Sequence, residues 1–155
     1  MISLNGILCT NIVEGSFDSA KFKQFIDGLL NLMNQYPAPR SVIIMDNCAI
    51  HKSSDVLDMI IERFVRTSIW DYLTLIQVST GRGMRYEFLP PYSPDYNPIE
   101  PAFSKIKKFI QRNGDLSRAA SDERPNLHIK LALVEAVNSV TAMDAEGWYR
   151  LSAYL

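Results

Sequence analysis

Three features of the sequence predict an α/β fold: short β-branched runs between glycines, amphipathic stretches at helical spacing that follow them, and an apolar run that ends in a carboxylate. Residues Ile7 to Glu14, ILCTNIVE, are bounded by Gly6 and Gly15 and predict a strand. Met1 to Leu4 is read as its hairpin partner, turned at Asn5-Gly6. Phe22, Phe25, Ile26, Leu29, Leu30 and Met33 then recur as one face of a helix, closed by Pro37 and Pro39. SVIIMD, Ser41 to Asp46, reads as a strand buried on both faces, with Asp46 at the C-terminal strand end where α/β sheets place their sites.

A second helix starts at Ser53 or Ser54 and carries Val56, Leu57, Ile60 and Ile61. Met84 to Leu89 alternates as a strand and runs into LPPYSPDYNPIE, residues 89 to 100, which holds four prolines and two tyrosines. Proline fixes φ and disfavours helix in the residue before it, so this segment is a stiff, extended loop. The helix beyond it has a clear start. Asn97 is placed as N-cap, Pro98 at the first helical position and Glu100 at the third, a capping-box arrangement. Ile99, Phe103, Ile106 and Ile110 form its expected apolar stripe, and Asn113-Gly114 its end. Asp115 to Pro125 reads as a polar loop, Leu127 to Val140 as another helix, and Thr141 to Asp144 as the cap of a last helix holding Trp148.

A chain of 155 residues, 47% hydrophobic and 21% charged, is large enough for one domain with its own core. Its net charge of -1 leaves a nucleic-acid partner to be decided by where the charges lie. Cys9 and Cys48 fall outside any zinc spacing and are expected as free thiols. No apolar run approaches the length of about 18 residues that a membrane span needs, and the start lacks a charged leader region, so no membrane partner is expected.

Two carboxylates stand out. Asp46 ends a strand, and Glu100 opens a helix held by a rigid loop; hard divalent cations want oxygen ligands from a few well-held carboxylates. Glu100 shares its helical face with Lys107, Lys108 and Gln111, and from Ser104 to Arg112 the helix carries Lys105, Lys107, Lys108 and Arg112 without an acid. Such a stripe suits a phosphodiester backbone. The plain alternatives are a cap for Glu100, a turn for Asp46, a solvated face for the cations, a structural role for His51 and loop packing for Tyr92 and Tyr96.

MDNCAIHKS (Met45 to Ser53) together with LPPYSPDYNPIEPAFSKIKK (Leu89 to Lys108) resembles the catalytic domain of mariner-type DDE transposases, the retroviral-integrase-like DDE superfamily endonucleases. LNGILCTNIVEGSFDSAKFKQFIDGLL and AMDAEGWYRLSAYL resemble flanking parts of that domain, so the resemblance covers most of the chain. It implies a ribonuclease H-like mixed sheet flanked by helices, and three acidic residues that bind Mg²⁺ or Mn²⁺ for DNA cleavage and joining. Asp46 matches the second acidic residue and Glu100 the third, with Asn47, His51 and Asn97 as supporting motif positions and Lys105, Lys107, Lys108 and Arg112 as the DNA-binding set. DNA is the implied partner, with paired subunits, nuclear localisation and no small-molecule substrate.

Two departures accompany the resemblance. The family's first acidic residue lies on a central strand upstream of the hairpin that LNGILC closes. The chain is therefore read as N-terminally truncated, weak in metal binding and inactive by itself, the alternatives being a non-catalytic DNA-binding remnant or a protein-interaction module. Spacing is the second. Fifty-three residues separate Asp46 from Glu100; without the 19 residues Phe64 to Arg82 there would be 34, a spacing common in the family. We read 64–82 as an insertion or as a retained intron of 57 nucleotides, three for each of its 19 residues. The intron reading predicts that the mature transcript lacks this stretch; a sequenced message that keeps it shows a true insertion.

Overall fold

Residues 1–63, 84–113 and 125–155 are described by the structure, a computed structural model, for all but the side chains of 125 and 126. The expected insertion 64–82 and nearly all of the expected polar loop 115–125 lie outside these residues. The described chain is mixed α/β, with five α-helices and two small sheets, and divides into two compact units.

One unit is Gly15–Tyr92. Its helix α1 (Ser19–Leu30) starts at Asp18, whose carboxylate accepts the Lys21 N–H at 2.9 Å and satisfies one of the open donors of the first turn. Phe22, Ile26, Leu29 and Leu30 recur at three- and four-residue spacing, and all four are buried. The helix α2 (Ser54–Glu62) packs against α1 through Val56 and Ile60, while its Ile61 stays exposed. Arg63 after α2 donates to Asp27 at 2.9 Å and to Asn31, tying the end of α2 to α1.

Strands β3 (Val42–Met45) and β4 (Arg85–Phe88) pair in parallel, Ile43 opposite Tyr86 and Met45 opposite Phe88. Among the described residues, one face of β3 is buried and the other is not. Ile43 and Met45 are buried, but Val42 and Ile44 are 37% and 36% exposed, which corrects the expectation of a strand buried on both sides. The apolar run was continuous because its two faces are equally apolar. Burial differs because, among the described residues of this unit, the helices lie over the Ile43 face.

The other unit is Met1–Glu14 with Ser93–Leu155. Strands β1 (Ile2–Ser3) and β2 (Gly6–Ile7) form the expected hairpin, turned at Leu4 and Asn5 rather than at Asn5-Gly6. Gly6 pairs with Ser3 at a φ of +103, a backbone state that side chains disfavour. The expected strand Ile7 to Glu14 is cut short. Leu8 N–H and the Met1 amino group extend the ladder to Cys9, beyond which no described strand takes the backbone groups. A β-branched run becomes a strand only where a neighbour accepts its hydrogen bonds.

Three helices complete this unit: α3 (Ile99–Asn113), α4 (Pro125–Asn138) and α5 (Ala142–Leu151). Thr141 caps α5 as expected, its hydroxyl accepting from Asp144 N–H while the Asp144 carboxylate accepts the Thr141 N–H at 2.8 Å. Ile2, Ala102 and Ala145 form the buried centre, with Ile7, Ile99, Trp148 and Tyr149 packed on it. The apolar stripe expected for α3 is therefore rotated, with Ala102 as its buried residue and Phe103 59% exposed. Ala102 and Ala145 share one buried cluster with Ile2, and burial there selects the line through Ile99 and Ala102.

The opposite fates of neighbouring isoleucines on α2 give a direct test of this packing. Ile60→Ala should lower the stability to chemical denaturation by about 2–5 kcal/mol. Ile61→Ala should change it by less than about 0.5 kcal/mol.

Candidate metal and nucleic-acid site

Asp46 follows β3 directly, at the C-terminal end of the parallel pair. Its Oδ1 accepts the Cys48 N–H at 2.9 Å, closing a local turn that fixes the carboxylate against its own backbone. The side chain is half exposed, and its second oxygen meets no partner among the described residues. A 3-10 turn, Ala49–Lys52, brings His51 back so that Nδ1 lies 2.7 Å from Asp46 Oδ1. The imidazole ring rests on Phe22, centroid to centroid 4.6 Å.

Asn47 performs a separate task. Its amide donates to the Leu89 carbonyl at 2.5 Å, while Leu89 N–H donates to Met45 O at 2.8 Å. These two bonds fasten the first residue of LPPYSPDYNPIE beside the Asp46 strand end. The tip of that loop is Tyr92, fully exposed and held at a φ of +57, with no packing role for its ring. Pro94–Tyr96 makes a 3-10 turn, and the Tyr96 carbonyl accepts from the Tyr154 hydroxyl at 3.0 Å.

At the start of α3, the expected Asn97 cap is present but the expected capping box is not: the Glu100 N–H donates to the Asn97 backbone carbonyl at 3.1 Å. Asn97 Oδ1 accepts the Ile99 N–H at 3.3 Å, as an N-cap does. The reciprocal bond from Glu100 is not made, because the Asn97 N–H already donates to Pro94 O at 2.9 Å. Glu100 is exposed, and its carboxylate has no partner among the described residues. The proline turn thus closes the cap without the glutamate and leaves both its oxygens available.

The cations of α3 separate into two kinds. Lys105 lies half-buried on the same line as Ile99 and Ala102, and its ammonium is bonded to Asp144. That contact, with the Thr141 hydroxyl and N–H, holds the Asp144 carboxyl at about 2, well below the usual carboxylate range. Lys107, Lys108 and Arg112 are exposed and have no partner among the described residues. Lys108 and Arg112 also line a groove of about 580 Å³ with Phe109 and Trp148.

Asp46 and Glu100 belong to different compact units. Among the described residues no three His, Cys, Asp or Glu side chains gather into a metal cluster. What each unit supplies is a carboxylate with unengaged oxygen, the donor that a hard divalent cation takes.

Comparison with known proteins shows the family to which this sequence belongs. A family profile described as DDE superfamily endonuclease matches residues 1–121, more than three quarters of the chain. The chain belongs to the DDE superfamily endonucleases. Comparisons with curated proteins and with solved structures give no significant match. The matched segment contains Asp46, Glu100 and every cation of α3, and the mixed α/β architecture is consistent with the ribonuclease H-like superfamily. Members of this superfamily act on DNA and generally use divalent metals. Among the described residues no helix is long and apolar enough to cross a membrane.

The Asp144 assembly carries a pH dependence of known sign. Its carboxyl sits near 2 when folded and near the ordinary ~3.9 when unfolded, so its stabilisation is complete above about pH 5 and is lost as pH falls towards 2. Asp144→Asn should therefore melt at a lower temperature than the native chain at pH 7, and the gap should close on acidification. A gap that stays constant from pH 6 to pH 2 would exclude this account.

Proposed function

We propose that the chain is catalytic-domain sequence of a mariner-type DDE transposase. In this reading it binds DNA through the exposed cations of α3 and uses Asp46 and Glu100 as the second and third acidic ligands for Mg²⁺ or Mn²⁺. The observation that carries the reading is the free Glu100 carboxylate. A glutamate at the third position of a capped helix normally engages the cap, and here the Pro94 carbonyl has taken its place. A role for Glu100 outside the cap is what the arrangement leaves.

Divalent cations held there would polarise the scissile phosphate and favour ionisation of the attacking hydroxyl or water. The residues themselves do the rest. Asn47 holds the proline segment to the Asp46 strand end, Cys48 N–H orients the Asp46 carboxylate, and Lys107, Lys108 and Arg112 attract the phosphodiester backbone without reading its sequence. Lys105 is assigned to the fold through Asp144 and not to DNA. With two matched carboxylates the 155-residue chain by itself is proposed to bind DNA without efficient strand transfer. Paired subunits and nuclear residence belong to the same proposal.

Fluorescence anisotropy with a labelled DNA duplex, titrated over a range of salt concentrations, tests the reading. The triple variant Lys107→Ala, Lys108→Ala, Arg112→Ala should bind more weakly and flatten the plot of log affinity against log salt by up to about 0.9 for each lost phosphate contact. Asp46→Ala and Glu100→Ala should keep that slope in EDTA and lose any gain in affinity from Mg²⁺ or Mn²⁺. Native affinity and slope in the triple variant would defeat the DNA assignment.

A further inference from the structure

His51 presents an unusual contact. Its Nδ1 is buried and has no hydrogen-bond partner among the described residues, although Asp46 Oδ1 is only 2.7 Å away. The distance is that of a strong hydrogen bond, but the carboxylate oxygen lies off the line along which an imidazole N–H points. Oδ1 already accepts the Cys48 N–H, so the second Asp46 oxygen and His51 Nδ1 are the two atoms left to take a third group. That is the relation between two ligands of one cation, whereas a hydrogen bond aims donor at acceptor.

The surroundings hold this relation in place. The Asp46 carboxylate is fixed by Cys48 N–H, the ring of His51 is held against Phe22 at 4.6 Å, and the backbone N–H of His51 donates to Cys48 O at 3.0 Å, closing the turn that carries the ring. The side chain of His51 is 21% exposed and that of Asp46 is 50%, so the pair lies at the surface with the carboxylate as its open side. Lys52, the nearest cation in sequence, is turned away over the Phe88 ring at 5.7 Å and does not neutralise the carboxylate.

We propose that His51 Nδ1 is a metal ligand beside Asp46, so that this position takes one imidazole nitrogen and carboxylate oxygen and prefers Mn²⁺ to Mg²⁺. The inference rests on the reading of Asp46 as a cation ligand and deepens it. Imidazole suits transition metals, while Mg²⁺ is content with carboxylate and water, so the nitrogen discriminates between the two ions where an all-oxygen site does not. The His is four residues beyond the Asn and five beyond the Asp, and the 3-10 turn between them is what folds it back.

Pulsed electron paramagnetic resonance on the tag-free 155-residue chain loaded with Mn²⁺ reads the ligand directly. The expected spectrum shows ¹⁴N modulation from one coordinated imidazole, absent in His51→Ala and retained in His128→Ala. Calorimetric titration should find Mn²⁺ affinity at least about tenfold weaker in His51→Ala and Mg²⁺ affinity changed by less than about twofold. Should His51→Ala fail to fold, the spectrum of the native chain decides alone. Mn²⁺ that binds in an Asp46-dependent way without nitrogen modulation overturns the role of His51 and leaves the reading of Asp46 intact. Mn²⁺ binding that Asp46→Ala does not alter, or no binding, overturns both.

Discussion

The parallel pairing of β3 with β4 is the constraint on which the Asp46 side of the site depends, because it carries two segments far apart in sequence to one strand end. Met45 opposite Phe88 sets the register, Leu89 N–H continues it onto Met45 O, and Asn47 reaches across to the Leu89 carbonyl. A slip of one residue would turn Ile43 and Met45 out of the core and move Leu89 away from the Asn47 amide. Both effects act together. The apolar requirement of the sheet and the polar requirement of the loop therefore select the same register.

Proline does the corresponding work around Glu100. A loop of ordinary composition could satisfy the first turn of α3 with the glutamate, since a capping box is locally favourable. Pro94 instead starts a 3-10 turn whose carbonyl takes the Asn97 N–H, and Asn97 caps Ile99 with its side chain. The carboxylate is then surplus to the helix. Its placement near the positive end of the α3 dipole still suits a negative charge. Capping and cation binding thus do not compete for the same oxygens.

How much of this was legible in the sequence depends on whether the deciding contact was local. The caps at Asn97 and Thr141, the faces of α1 and α2, and the position of Asp46 at a strand end all rest on residues within a turn of one another, and the sequence shows them. The two-sided burial of β3, the length of the strand after Gly6 and the apolar line of α3 rest on partners elsewhere in the chain. Nothing in Ile99, Phe103, Ile106 and Ile110 reveals that Ala102 will be buried in one cluster with Ile2 and Ala145 while Phe103 is left in water. The pairing of Lys105 with Asp144 has the same origin. Asp144 is 39 residues away, and the spacing of lysines on a helix cannot show which of them a distant acid will engage.

That pairing changes the electrostatic meaning of α3. Four cations in a chain of net charge -1 read as a uniform stripe, yet the Lys105 ammonium is neutralised by Asp144 at the side of the helix turned to the core. The charge left to act on solvent is that of Lys107, Lys108 and Arg112, and Glu100 is the acid nearest to it along the helix. An acid beside three free cations would normally weaken the attraction for a polyanion. A divalent cation held by Glu100 would reverse the sign of that contribution, so the affinity of this face for phosphate should rise with metal loading. Under the proposed function, metal binding and DNA binding would then be linked through charge alone, before any chemistry takes place.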